Sequence, residues 1–259
     1  MARAIWKGNL LLGSEQVSVK MYSAAEDRTV HFRLLHAKDL APVEQHIVRK
    51  DNGKEVPKDD QRKAFPLDRS TAVVLQPQEL EELEPPASRD IHLCRFVSPT
   101  LLSDQWYDRP YYLGPDNDED SYFALAEALA RQKRVGIARW VMRKKRYLGA
   151  LTLSGPHLAM ITLRRSDQVL SFTGIEPAKS ATPVENELRL AEQLVSSITA
   201  DFDPAQWPDE YRKRVCALIE AKARGEKITP PKPKRKAAPT GLAESLKASI
   251  AAAREKKVA

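Results

Sequence analysis

Apolar and polar positions alternate with a period of two through most of the first two thirds of the chain. Val17, Val19 and Met21 lie between Ser18, Lys20 and Tyr22, and Val30, Phe32 and Leu34 repeat the pattern. Successive side chains of a strand point to opposite faces, so this spacing predicts strands with one face buried. The same reading gives strands at Ala72 to Leu75, Ile91 to Val97, Val135 to Met142, Tyr147 to Leu153 and Leu158 to Leu163, with Pro, Gly or Asp-rich joints between them. About eight short strands are expected, enough for a barrel or a sandwich.

Helical spacing occurs in three places. The first starts in the acidic run Asp116 to Asp120 and continues through Tyr122, Leu125, Ala126 and Leu129 to Arg131, with acids at its start and a base at its end, as the helix dipole favours. After Gly174 the pattern changes to helix. Thr182-Pro183-Val184-Glu185 combines a capping box with Pro at the first helical position, and Leu188, Ala191, Leu194, Val195 and Ile198 follow. A third helix is predicted from about Pro208 to Ala223, with Tyr211, Val215, Leu218, Ile219 and Lys222 on one face and Gly225 as its stop.

Composition narrows the class. The 259 residues are 42% hydrophobic, sufficient for one main core. The net charge is +7, yet eleven cations and three acids from Lys222 onward sum to +8, which leaves −1 for the preceding 221 residues. The sequence is therefore a near-neutral body with a strongly basic end, and a polyanionic partner is implied. Thr229 to Gly241, rich in Pro and Lys, reads as an extended basic linker. Leu242, Leu246 and Ile250 then form a stripe that becomes helical on contact with an anion or a partner. Cys94 and Cys216 stand far apart and give neither a disulfide framework nor a zinc site. No apolar run resembles a signal peptide or a membrane span, so a soluble cytoplasmic protein is expected.

Candidate chemistry concentrates between Arg131 and Arg165. That stretch holds Arg131, Lys133, Arg134, Arg139, Arg143, Lys144, Lys145, Arg146, Arg164 and Arg165 and no Asp or Glu. Cations without counter-charges repel one another unless an anion lies alongside, and a phosphate backbone supplies one. The bland alternative is a solvated face whose acids come from other segments. Trp140 and Tyr147 are the only aromatics there, too few for a single-strand stacking platform, so duplex contact is favoured over base reading. Glu44 to Lys63, mixed in charge around Asn52-Gly53, reads as an exposed hairpin and, on sequence alone, as an ordinary solvated one.

Enzyme signatures are missing: there is no phosphate-binding G-x-x-x-x-G-K-[ST], G-x-G-x-x-G, H-E-x-x-H or G-x-S-x-G motif. His31 and His36 would not point together and read as structural. The acids Glu81-Glu82 and Asp118 to Asp120 read as helix-start or turn residues, and Cys94 as a half-buried strand thiol. No catalytic residue, metal or cofactor is expected.

Several separate segments, in order, resemble the bacterial Ku family. They are Ala2-Arg3-Ala4-Ile5-Trp6-Lys7-Gly8, the strand Val17 to Ala24, Arg109-Pro110-Tyr111-Tyr112-Leu113-Gly114-Pro115-Asp116, and Ile137-Ala138-Arg139-Trp140. Leu190-Ala191-Glu192-Gln193-Leu194, Thr199 to Pro204 and Asp209-Glu210-Tyr211 extend the similarity, which covers about residues 2 to 228.

The resemblance implies an α+β fold: a β-barrel core with a strand arm that encircles DNA, then a helical arm for dimerisation and a basic tail. The expected divisions are 1–175 for the barrel, with the encircling arm at about 44–72, then 176–228 for the helical arm and 229–259 for the tail. It reverses the solvated reading of the Glu44 to Lys63 hairpin. The implied DNA contacts are Lys20, Arg49, Lys50 and Lys54, the ten cations between Arg131 and Arg165, and Lys232, Lys234, Arg235 and Lys236 in the tail. Leu188, Leu194, Ile198, Trp207, Tyr211 and Val215 would join two copies. Ile219, Glu220, Lys222 and Arg224 would engage a multidomain ATP-dependent DNA ligase. Many relatives carry Cys-x-x-Cys before the glycine matching Gly53, whereas Arg49 and Asn52 stand here. A metal or thiol role is thereby lost and Arg49 adds a phosphate contact.

The expected function is sequence-independent binding of double-stranded DNA ends by a homodimeric ring in non-homologous end joining, in the cytoplasm and on the nucleoid. Two rivals remain at this stage. A nucleoid-associated packaging protein would explain the Pro-Lys tail equally well and would need no ends. An enzyme acting on abasic ends through a Lys Schiff base is the other, although nothing marks a particular Lys.

Overall fold

The computed structural model describes residues 3–170 and 185–226. They fall into two compact units, 3–28 with 33–170, and 29–32 with 185–226. The first unit holds strands β1 (Trp6–Leu12), β2 (Glu15–Ser23), β3 (Lys63–Pro66) and β4 (Ala72–Leu75), then helix α1 (Pro77–Glu82) and strand β5 (Asp90–Val97). After these come β6 (Tyr107–Pro115), helix α2 (Glu119–Gln132), β7 (Val135–Met142), β8 (Lys145–Ser154) and β9 (His157–Leu163).

Seven strands close into a barrel in the order β1-β2-β6-β9-β8-β7-β5, and β3 with β4 forms a separate two-stranded sheet. Every barrel pairing is antiparallel except the last, where β5 runs parallel to β1 with Asn9, Leu10 and Leu11 opposite Asp90, Ile91 and His92. The alternating positions behave as their period requires. Val17, Val19 and Met21 are buried, as are Ala138, Trp140 and Met142, and they join Leu10, Ile91, Leu113, Leu151, Leu158 and Met160 in one core.

Helix α2 adds Tyr122, Ala126 and Leu129 to that core. The Tyr122 hydroxyl donates to the Leu113 carbonyl at 2.6 Å and accepts from the Leu158 N–H at 2.8 Å, so one buried side chain ties the helix to β6 and β9. Burial pushes its phenol pKa up. Trp140 stacks on Tyr147 with centroids 5.4 Å apart, and the ring lies so close over Gly149 that a Cβ there would sit 2.6 Å from it. A second cluster on the outer face joins Val135, Ala150 and Leu163 to Leu102, Trp106 and Ile137.

The sequence expectations at β2, β4, β5, β7, β8 and β9 match to within a few residues, and α2 begins at Glu119 where Asp116 to Asp120 was expected to start it. Val30, Phe32 and Leu34 are a correction: residues 25–34 form no strand, and Phe32 and Leu34 are more than 60% exposed. Val30 is half-buried and with Phe32 belongs to the second unit, whereas Leu34 belongs to the first, so the three do not form one face of one element. Cys94 is a second correction, since it is exposed rather than half-buried. Strand β6 escaped the periodicity because Pro110 and Pro115 interrupt it, and Pro110 sits at a register shift, where a strand tolerates a missing N–H. Helix α1 is only six residues long and rests on a capping box between Gln76 and Glu79.

From residue 33 to 75 no residue is buried. The segment carries β3 and β4 and two isolated bridges, Leu35 with Pro42 and Val48 with Glu55, while Leu34, Leu40, Ile47, Phe65, Leu67 and Val74 stand exposed. The hairpin expected within Glu44 to Lys63 is present around Gly53 (φ +68°), with Arg49 N–H donating to the Lys54 carbonyl at 2.8 Å.

The second unit contains α3 (Glu185–Ile198) and α4 (Glu210–Ala223). The Asp209 carboxylate caps α4 by accepting from the Arg212 N–H at 2.9 Å. The capping box Thr182 to Val184, the tail cations Lys232, Lys234, Arg235 and Lys236 and the stripe Leu242 to Ile250 lie outside the described residues.

Two stability predictions follow from the barrel. Tyr122→Phe keeps the ring but strips a buried N–H and a buried carbonyl of their partner, which should cost about 1–3 kcal/mol in urea unfolding; an unchanged midpoint would show that the bridge is not a staple. The β7–β8 turn places Arg143 and Lys144 at φ +50° and +63°, a two-residue turn that favours Asn-Gly. Arg143→Asn combined with Lys144→Gly should raise stability by about 1–2 kcal/mol, read as a higher Tm.

Candidate nucleic-acid interface

The ten cations between Arg131 and Arg165 do not form one patch. Arg131, Lys133 and Arg134 stand where α2 ends, and Lys133 itself takes the left-handed C-cap position at φ +48°. Strand β7 then carries the chain roughly 25 Å, at about 3.3 Å per residue, to the turn that displays Arg143 and Lys144. Lys145, Arg146, Arg164 and Arg165 lie near that second end, because β8 returns antiparallel beside β7 and beside β9.

Register decides which face they use. Arg139 lies opposite Leu148 and Arg146 opposite Val141, all on the face away from Trp140 and Tyr147. His92 of β5 is opposite Arg139 and extends the same outer face. Arg139, Arg143, Lys144, Lys145, Arg146 and Arg165 are all exposed.

Acids from other segments do reach some of these cations, as the bland reading anticipated. Arg131 pairs with Glu127 at 2.7 Å, Lys144 with Glu84 at 2.9 Å and Arg164 with Asp108 at 3.4 Å. Glu84 pushes the Lys144 pKa up. Arg164 also donates to the carbonyls of Gln105 and Tyr107, so its guanidinium is tied to the segment that covers the outer cluster. Lys133, Arg134, Arg139, Arg143, Lys145, Arg146 and Arg165 have no carboxylate within 4.0 Å among the described residues.

Lys20 is placed differently. It lies opposite Lys7 across β1 and β2, and Asp116 sits between the two ammonium groups at 2.6 Å from Lys20 and 3.5 Å from Lys7. Like charges directly opposite destabilise a strand pair, and the shared carboxylate removes that conflict. The hydrogen bond to Lys20 holds the Asp116 carboxyl below its ordinary range and raises the Lys20 pKa in turn. Lys7 was not singled out from the sequence, since only the register brings it beside Lys20.

In the exposed hairpin, Arg49 makes a bidentate pair with Asp51 at 2.6 and 3.0 Å, and among the described residues no carboxylate lies within 4.0 Å of Lys50 or Lys54. An exposed pair of this kind contributes little stability, so Arg49 can exchange Asp51 for another anion at small cost. His46, held by Glu55 at 2.6 Å, has its pKa raised by that hydrogen bond. Three backbone and hydroxyl donors from Ser70 and Thr71 lower the Asp68 pKa to about 2 and fix the β3–β4 turn.

In the second unit Leu188, Ile198, Trp207 and Tyr211 are exposed, Trp207 and Tyr211 by 70% or more, whereas Leu194 and Val215 are half-buried. Ile219, Glu220, Lys222 and Arg224 are exposed toward the end of α4, and Arg224 pairs with Glu226 at 2.9 Å. No helix among the described residues is long and apolar enough to cross a membrane.

The family model described as the Ku70/Ku80 beta-barrel domain matches residues 11–190. The chain is 36% identical over 224 residues to non-homologous end joining protein Ku 2 of Geotalea uraniireducens, covering 86% of this chain and 87% of that protein. It is 35% identical to non-homologous end joining protein Ku of an Anaeromyxobacter species, over 99% of this chain and 88% of the relative, and 31% identical to that of Solibacter usitatus, over 99% and 96%. A solved structure, the SPOC domain of human PHD-finger protein 3, aligns with 62% of this chain and 97% of that domain at 15% identity and a TM-score of 0.31, too distant for inference. With seven strands closed into a barrel where the Ku70/Ku80 beta-barrel description matches, and near-full-length relatives above 30% identity, the chain belongs to the Ku family.

Proposed function

We propose that this chain binds the ends of double-stranded DNA as a homodimeric ring, without reading base sequence, and brings an ATP-dependent DNA ligase to the break. The observation that carries this reading is the near-full-length similarity to proteins named for non-homologous end joining. The chemistry agrees. Cations without carboxylate partners stand on folded elements, and phosphate contacts of that kind position a protein on a duplex without specifying bases. Lys133, Arg134, Arg143 and Lys145 on the barrel and Arg49, Lys50 and Lys54 on the arm hairpin are the proposed contacts. Lys232, Lys234, Arg235 and Lys236 add a second one to the same DNA, which raises the effective concentration.

Two features support a second copy as part of the ring. Residues 33–75 contain no fully buried residue, and α3 leaves Leu188, Val195 and Ile198 at 44%, 64% and 61% exposure. Apolar surface of this extent in a folded chain marks an interface. Ile219, Glu220, Lys222 and Arg224 are then left to meet the ligase. No catalytic role is proposed for any residue, and the protein works in the cytoplasm, on the nucleoid.

Specificity for ends would come from topology, and this is directly measurable. Linear DNA should be retained by the protein while covalently closed circles of the same sequence are not, and log affinity should fall with log salt by about 0.9 for each phosphate neutralised. Equal affinity for both forms would overturn the ring and favour a packaging protein. A mass measurement in solution should find twice the 29.1 kDa chain. Val195→Glu with Ile198→Glu would bury unpaired charges at the proposed contact and should give the single-chain mass together with weaker end binding. A variant that remains dimeric would remove α3 from the interface.

A further inference from the structure

On the outer face of the barrel, where β5, β7 and β8 lie side by side, a groove of about 490 Å³ opens between the strands and the chain at Pro85 and Pro86. Pro85, Pro86, Trp140, Val141, Tyr147 and Leu148 line it, and the exposed lining is predominantly apolar. Arg139, Arg146 and Arg165 stand at its border. They are exposed, and none has a carboxylate within 4.0 Å among the described residues. Their positions are held by other contacts. The Arg139 Nε lies 3.3 Å from the Cys94 sulfur, and Arg165 donates to the Arg146 carbonyl at 3.1 Å. Asp90 is the one acid in the lining, and its carboxylate is within hydrogen-bond distance of the Ser88 hydroxyl and the Asn9 amide.

We propose that this groove docks a short acidic segment of a partner protein, one that carries a large apolar residue such as Leu between Asp or Glu residues. The volume is in the range of clefts that enclose ligands, roughly 300–1,000 Å³, so an apolar side chain can be buried there. Three guanidiniums around an apolar lining provide charge-assisted, bidentate sites for carboxylates at the moment that side chain is desolvated. A duplex meets a surface chiefly through charged phosphates, which match the arginines but put no large apolar side chain into the groove. The chain's own tail is basic and would be repelled by the same arginines. Arg139, Arg146 and Arg165, which line this groove, are thereby taken out of the duplex contacts that the family resemblance implies, which leaves those at the end of α2 and in the β7–β8 turn.

Fluorescence polarisation on the full-length protein tests the assignment. The probe is a labelled ten-residue peptide of alternating Glu and Leu; a Glu–Ser peptide and a Lys–Leu peptide are its counterparts. The Glu–Leu peptide should bind saturably, each counterpart at least tenfold more weakly. Arg139→Ala combined with Arg146→Ala should weaken Glu–Leu binding at least tenfold while leaving linear-DNA binding within twofold and the Tm unchanged. Absence of saturable Glu–Leu binding, or binding unaffected by the substitutions, overturns the proposal. Loss of linear-DNA binding in the same variant also overturns it and assigns these arginines to the duplex.

Discussion

In a closed barrel every strand has two partners, and here closure depends on the short parallel ladder between β1 and β5. Two parallel strands cannot be joined by a tight turn. Here β2 makes the return, ending at the edge of the barrel where β5 starts, so a short link past β1 would be enough to complete the seam. The whole excursion of residues 24–89, with its hairpins and α1, fills that interval. That excursion is far longer than the seam requires, and it leads into the β1–β5 ladder only at its far end, at Asp90.

The same closure fixes the charges. Because β7 and β8 are held on both sides, their register cannot slip, and a one-residue slip would turn Arg139 and Arg146 inward and Trp140 outward. The rigid hairpin projects Arg143 and Lys144 from left-handed positions that glycine or asparagine would occupy more comfortably. Strain retained at a cationic tip is the sort of local conflict found where a surface has a task beyond folding. Lys20 illustrates the opposite case. It shares the Asp116 carboxylate with Lys7 within the sheet, so the two ammonium groups have one counter-charge between them.

Period-two alternation made β2, β5 and β7 legible, because each has one face on the core and the other turned outward, whereas β9, buried on both faces at five of its seven positions, was marked by its apolar residues and not by alternation. Alternation failed at β6, where proline breaks the pattern, and at Val30 to Leu34, which divides between the two units and forms no strand. Pattern records that a face is apolar and is silent on what covers it. The cations were legible as residues, but their grouping was not. Arg139 and Arg146 share a face only through the β7–β8 register, and the groove they border needs Pro85 and Pro86 from more than fifty residues earlier. Glu84 and Asp108, which neutralise Lys144 and Arg164, are equally remote in sequence.

Ordering a backbone costs roughly 1–2 kcal/mol per residue, and a segment recovers that mainly by burying apolar area. Residues 33–75 bury no side chain fully, yet they carry Leu34, Leu35, Leu40, Val43, Ile47, Val48, Phe65 and more on the outside. Within one chain that cost is not met. If a second copy covers these side chains, the arm gains its order from assembly, and a ring forms only as the dimer does. The mixed charges of the hairpin, including Arg49 already paired with Asp51, then remain outside the apolar contact and free to exchange partners with phosphate. Dimerisation and DNA encirclement would thus be one folding event, with the apolar face of the arm serving the first and its charged turns the second.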